Sequence, residues 1–306
     1  MRASNTNLAP LRRRLIPAPS GKTATLIKLP VAPIAGEATL QVRQRQKAIA
    51  VRGAFPYRRL CLGSLSPILL LFFWDIASRA GLVPQLILPS PETVYSALAS
   101  MVASGDLAAN LTISVRRVAS GFAAGALIGL VLGAAMGLSP RVERFLRPTF
   151  LAVAQIPVLA WIPFLMILFG IGEALKIVII AEAALIPTML NTLDGFRNIP
   201  KAYLELGRIY KFGKLQTLRR IMLPGALLPI FTGLRYGLTH AWQSLVVVEL
   251  LASTEGVGYQ MVMARQLFQL DVMIATMIVI GIIGFTLDKL LAQAETTLAR
   301  RYGGAT

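Results

Sequence analysis

Lys201–Pro229, KAYLELGRIYKFGKLQTLRRIMLPGALLP, lies between two long apolar runs. Charge recurs throughout it, at Lys201, Glu205, Arg208, Lys211, Lys214, Arg219 and Arg220, so it cannot span a bilayer. Its pattern predicts two short helices. Ala202 to Tyr210 forms the first; Leu215, Leu218 and Ile221 or Met222 recur at helical spacing in the second. Phe212-Gly213 is the expected corner, because glycine tolerates the backbone angles of a sharp turn. Leu223-Pro224 then opens the next apolar run, with Pro224 suited to a first helical turn. A cationic, amphipathic helix pair between two apolar runs implies a surface presented to a cytosolic partner.

The outward reading is of a membrane protein. The 306 residues are 55% hydrophobic with a mean hydropathy of +0.65, which excludes an ordinary soluble domain. The net charge of +17 would suggest nucleic-acid binding, but the cations border apolar spans, so no nucleic-acid partner is expected. One cysteine, Cys61, excludes an internal disulfide framework, and His240 is the single histidine, which removes multi-histidine metal sites. No cofactor is expected. Gly21-Lys22-Thr23 ends like a phosphate-binding loop, but Ile16 stands where its first glycine belongs, so the chain should not hydrolyse ATP.

Six apolar spans are expected, an all-α polytopic architecture: Leu60–Ala80, Val115–Leu138, Pro148–Phe169, Ala174–Leu193, Pro224–Leu251 and Val272–Ala292. Residues 1–58 form a basic tail, read either as a solvated cytoplasmic segment or as a contact for anionic lipid. Residues 84–112 are a loop with one or two short surface helices. Basic segments at the tail, 139–147, 201–222 and the C-terminal end alternate with segments poor in Lys and Arg, which places both termini in the cytoplasm. Arg116, Arg117 and Lys176 break that alternation and are expected to snorkel as interfacial anchors. Gly121, Gly125, Gly129, Gly133 and Gly137 form a bare stripe for close helix packing. Pro157, Pro163, Pro187 and Pro229 should kink or break their helices.

Ionisable groups inside spans are costly and mark candidate pathways. Arg235 lies about 16 Å and Glu182 about 18 Å from the same end of the bundle, counted at about 1.5 Å per residue, so the two can pair. That pair would either fix helix register or leave Arg235 to attract an anion. Arg235, Trp242 and Glu249 share a helix face, and Thr239 and Gln243 add hydrogen-bonding groups, so this run is the candidate pathway wall or else bonds to neighbouring helices. His240 reads as a packing residue, and Asp75 and Arg79 as a local pair.

Glu205-Leu206-Gly207, followed at fixed distance by Ile221-Met222-Leu223-Pro224, resembles the coupling loop of ATP-binding-cassette importer permeases. The family pattern differs in two places: Leu206 is bulkier than its usual alanine, and Lys211 replaces its usual glycine, with Gly213 two residues late. Trp74–Arg79, Leu88-Pro89-Ser90-Pro91, Gln155-Ile156-Pro157, Phe169–Glu173, Thr232–Arg235, Ala241-Trp242 and Gly256–Tyr259 resemble its sulfonate, taurine and nitrate branch. The resemblance, over about residues 60–300, implies a type I importer permease domain at 59–300. It further implies a homodimer, cytoplasmic ATPase subunits docked on the 201–222 helices, a periplasmic substrate-binding protein and a bacterial inner-membrane location. Glu205, Gly207, Arg208, Lys211, Gly213, Leu223 and Pro224 would couple to the ATPase, with Glu205 capping or anchoring the first helix and Gly207 admitting the partner. Rival readings are an ion-gradient-driven secondary transporter, a membrane-embedded enzyme and a structural anchor. The first lacks a carboxylate relay or repeat, the second lacks clustered catalytic residues, and for the third the helix pair is superfluous.

Overall fold

The computed structural model describes residues 56–302, with side chains from 65 to 300. Residues 1–55, nearly all of the expected tail, lie outside the described residues, as does Gly21-Lys22-Thr23. The helices are α1 (Pro56–Arg79), α2 (Pro91–Ser104), α3 (Asp106–Leu138), α4 (Pro140–Val153), α5 (Val158–Phe169) and α6 (Glu173–Arg197), then α7 (Lys201–Ile209), the short α8 (Lys214–Thr217), α9 (Leu223–Ala252), α10 (Val257–Gln266) and α11 (Leu270–Tyr302). A π-helical turn, Leu218–Met222, joins α8 to α9. No strand occurs among the described residues. The unit from Ile68 onward holds everything that follows.

Helix α6 is the centre, because glycines on both neighbours let their backbones reach it. All five stripe glycines of α3 turn to α6, as expected. A Cβ added at Gly125 would lie 2.1 Å from the Ala181 carbonyl oxygen, and one at Gly133 would lie 2.5 Å from that of Met189. On an adjacent face, Gly237 of α9 faces the Ala184 carbonyl, with only 3.0 Å for an added Cβ. In lipid, where apolar side chains gain little by leaving their surroundings, such close packing holds helices together. Leu127, Ile128 and Val131 of α3 and Ile282 and Phe285 of α11 are exposed, as lipid-facing groups should be.

Asp106–Leu138, Lys214–Ala252 and Leu270–Arg300 are each long and apolar enough to cross a membrane, and a fourth segment is α4 plus α5, bent by 95°. The prolines act less often than expected. Only Pro157 stands at a break; Pro163, Pro187 and Pro229 lie inside continuous helices. Preceding a proline disfavours the helical conformation at Ile156, and the chain closes α4 with tight turns, Gln155 N–H to Ala152 O and Ile156 N–H to Val153 O. Helix α6 continues through Pro187.

At the start of this unit, the Trp74 indole donates to the Pro89 carbonyl (3.0 Å) and Ser78 to that of Leu88 (3.2 Å), tying α1 to the loop before α2. Asp75 and Arg79 pair at 2.8 Å, as their spacing suggested.

Candidate functional site

The elbow at Lys201–Met222 is built on a helix end. Two bonds close α7, Lys211 N–H to Arg208 O (2.9 Å) and Phe212 N–H to Gly207 O (2.9 Å). This pairing requires a left-handed residue between them, and Lys211 supplies it at φ 53°. Gly213 is extended at φ −66°, so the corner expected at Phe212-Gly213 sits instead at Lys211. Replacing Lys211 with glycine removes a Cβ clash and should stabilise the elbow by less than about 1 kcal/mol. Thermal denaturation in detergent measures the gain.

The π-helical turn has its own local cause. Pro224 lacks an N–H and its ring crowds the carbonyl four residues back, at Arg220. The chain widens there, and Leu223 N–H bonds Leu218 O. The Arg220 guanidinium then stands 5.6 Å over the Phe212 ring.

Side chains divide cleanly around α7. Leu204, Leu218, Ile221 and Met222 pack on Phe196, Ile199 and Ala226. Gly207 is buried against this layer: its added Cβ would meet Ile221 Cδ1 at 2.8 Å. The close approach that Gly207 permits is therefore to this chain's own Ile221. Glu205 lies mid-helix and exposed, and the helix is capped by Pro200 without a side-chain bond, so Glu205 does not cap it. On the outer side Tyr203, Leu206, Ile209 and Tyr210 are exposed, the last two by more than 70%. Leu206 stands about half exposed on this side, so its extra bulk is accommodated at the surface. An apolar stripe of this kind, edged by Glu205, Arg208 and Lys211, is the mark of a protein contact.

At the other end of α3, α6 and α9, Arg117 is not a snorkelling anchor. It is 3% exposed and holds three carboxylates: Glu173 at 2.6 Å, Glu255 at 2.8 Å and Glu249 at 2.9 Å. Lys176 is buried as well and pairs with Glu173 at 2.7 Å. Arg117 keeps the Glu173 carboxyl down at about 2, so Glu173, at the first position of α6, stays charged above that pH. Glu249 is fully buried and takes further bonds from Ser114 (2.8 Å) and the Gly258 N–H (3.0 Å). Gly256, at φ 104°, passes so close that an added Cβ would strike the Glu249 carboxylate at 2.3 Å. Glu249 thus knits α3, α9 and α10 together.

The expected Glu182–Arg235 pair is absent. Arg235 bonds Asp288 (2.8 Å) and Glu295 (3.0 Å) on α11. Trp242 also faces α11, its indole donating to the Ile280 carbonyl at 3.3 Å. Thr239, Trp242 and Gln243 line a narrow cleft of about 110 Å³. The shared face of Arg235, Trp242 and Glu249 is therefore spent on neighbouring helices. Glu182 instead lines a cavity of about 460 Å³ with Pro157, Pro187, Asn191, Tyr236 and His240. Tyr236 and His240, one turn apart on α9, project from the face beside the one singled out in the sequence. Their four-residue spacing within a span was the available signal.

Residues 125–302 match the family described as the binding-protein-dependent transport system inner membrane component. The chain belongs to this family. It is an integral inner-membrane permease with the all-α fold of an importer, and it is not an enzyme. The family as a whole works with an ATPase and a substrate-binding protein. The match starts within the glycine stripe and takes in both the elbow and the cavity. Among relatives, the chain is 34% identical over 238 residues to the putative aliphatic sulfonates transport permease of Bacillus subtilis (strain 168), covering 78% of this chain and 86% of that one. Its Escherichia coli (strain K12) counterpart is 36% identical over 222 residues, 72% and 84% of the two chains. The taurine transport permease of the same organism is 34% identical over 249 residues, 80% and 90%.

Proposed function

We propose that two copies of this permease form the path of a small sulfonate-type anion, the branch also taken to include taurine and nitrate. The elbow at Lys201–Met222 faces the cytosol and is gripped by a separate ATPase. A periplasmic binding protein delivers substrate at the Arg117 end. Both termini are cytoplasmic, which the basic tail and the basic 139–147 and 201–222 segments support. Anionic lipid heads are the natural contacts of those cations.

The observation that carries the coupling role is the outward apolar stripe of α7 on a rigid internal brace. Tyr203, Leu206, Ile209 and Tyr210 are exposed while Gly207 is locked to Ile221, and the π-helical turn continues into α9 without a loop. Force applied at the stripe passes through Ile221 and Leu223-Pro224 into α9. Glu205, Arg208 and Lys211 edge the contact. Gly213 opens α8 as its N-cap, and Pro224 sets the start of the span.

Gly207→Asp puts a charge into the Ile221 contact; Glu205→Lys reverses an exposed charge without touching the brace. Both variants should remain in the membrane, Gly207→Asp in reduced amount, and lose ATP-driven uptake per molecule of permease to background. Uptake is measured in vesicles holding the ATPase and binding protein, and wild-type uptake by both variants overturns the coupling role. An ion-gradient-driven mechanism is not favoured by the family assignment. Uptake that persists without the ATPase would restore it.

A further inference from the structure

Glu182 stands apart from every other carboxylate within the spans. Its Oε2 is shut away from solvent and, among the described residues, takes no hydrogen bond. The cations nearest to it in sequence depth are committed elsewhere: Arg117 to Glu173, Glu249 and Glu255, Lys176 to Glu173, and Arg235 to Asp288 and Glu295. A carboxylate oxygen shut away from water without a donor is costly, while the rest of the Glu182 side chain is only partly buried. Here it borders a cavity of about 460 Å³, within the range of small-molecule sites. Asn191 donates its amide N–H to the Pro187 carbonyl at 2.9 Å, which fixes that side chain at the cavity wall. Tyr236 and His240 add a phenol and an imidazole on the α9 side.

We infer that this cavity is a substrate subsite for a zwitterion, in which Glu182 receives an ammonium group and Tyr236 and His240 donate to the oxygens of the anionic end. The inference rests on the permease reading and narrows its substrate class. A simple inorganic oxyanion has nothing to offer Glu182 and would be repelled by it. An amino-sulfonate satisfies the carboxylate with its cation, and its sulfonate oxygens accept from the phenol and imidazole. The charge of the site selects the positive end of the substrate, because no free arginine or lysine lines the cavity.

The test uses the assembled permease–ATPase complex in lipid nanodiscs without the binding protein, so that only the permease chooses. Two probes are titrated by calorimetry: taurine, and 2-hydroxyethanesulfonate, which has a hydroxyl where taurine has its ammonium. Wild type should prefer taurine. Glu182→Gln should weaken taurine binding by about tenfold or more, as loss of a charge-assisted bond does, and leave the hydroxy analogue within about twofold. Glu182→Asp, which keeps the charge, should retain the preference, and Tyr236→Phe should weaken both probes alike. No taurine binding by wild type overturns the inference. So does a Glu182→Gln variant that weakens both probes equally or neither; the latter is expected if a second copy of the chain supplies a partner to Glu182. ATP dependence of uptake is a separate readout: its loss removes the importer reading, whereas lost discrimination between the probes removes only this subsite.

Discussion

Arg117→Met should cost the folded protein about 3–5 kcal/mol, the usual price of stranding a buried charge. Glu249 is fully buried and would keep only the Ser114 hydroxyl and the Gly258 N–H as partners. Glu173 and Glu255 are about half exposed and would turn to water, so they contribute little of the loss. The damage is therefore specific to one pair, and a double variant isolates it. Arg117→Met combined with Glu249→Gln removes both charges of the buried pair, leaving Lys176 with its own partner Glu173, and should recover most of the stability, a strong coupling between the two sites. Thermal or denaturant unfolding of the purified permease in detergent measures all three chains. A single Arg117→Met variant within about 1 kcal/mol of wild type would refute the hub. So would a double variant no better than the sum of its parts.

That hub explains where sequence reasoning stops. Arg117, Glu173 and the Glu249–Glu255 segment come from three separate stretches, and nothing local to Arg117 announces its partners. Counting residues along a span gave Glu182 and Arg235 similar depths, but depth leaves the direction around the helix axis open. Arg235 turned toward α11, where Asp288 and Glu295, seven residues apart, repeat on one face. That repeat was readable and is the signal the pairing should have used. Local patterns fared better. The four-residue glycine period located the α3–α6 contact because it depends only on helical geometry. The alternation of charge in 201–222 located the elbow, and Pro224 its junction with α9. The corner moved from Gly213 to Lys211 because the helix-closing bonds, not glycine's freedom, choose the left-handed residue. Of the prolines expected to kink or break their helices, only Pro157 stands at a break, because a break depends on what packs around the helix, which one sequence does not state.

Gly125→Leu should prevent the permease from folding, while the same change at Gly281 should be silent. A Cβ at Gly125 would stand 2.1 Å from the Ala181 oxygen, 2.8 Å from its carbonyl carbon and 2.9 Å from its Cα. All three atoms are backbone of α6, which is itself pinned along an adjacent face by Gly233 and Gly237 of α9, with Thr188 touched from both sides. Neither helix can step aside without parting the other contact, so the clash is not relieved by a rotamer change. The expected loss is about 3 kcal/mol or more, at the upper end for overpacking. Gly281 sits on an exposed face of α11 with nothing within 4 Å of its added Cβ, and leucine there adds only lipid-facing surface. Gly207→Ala is the intermediate case: its contact at 2.8 Å is the flexible end of Ile221, which can swing away. Membrane-fraction yield and a monodisperse peak on size exclusion should therefore fall in the order Gly281→Leu, Gly207→Ala, Gly125→Leu. A well-folded Gly125→Leu permease would mean that α3 and α6 are not in contact along the glycine stripe, and the central position assigned to α6 would fall with it.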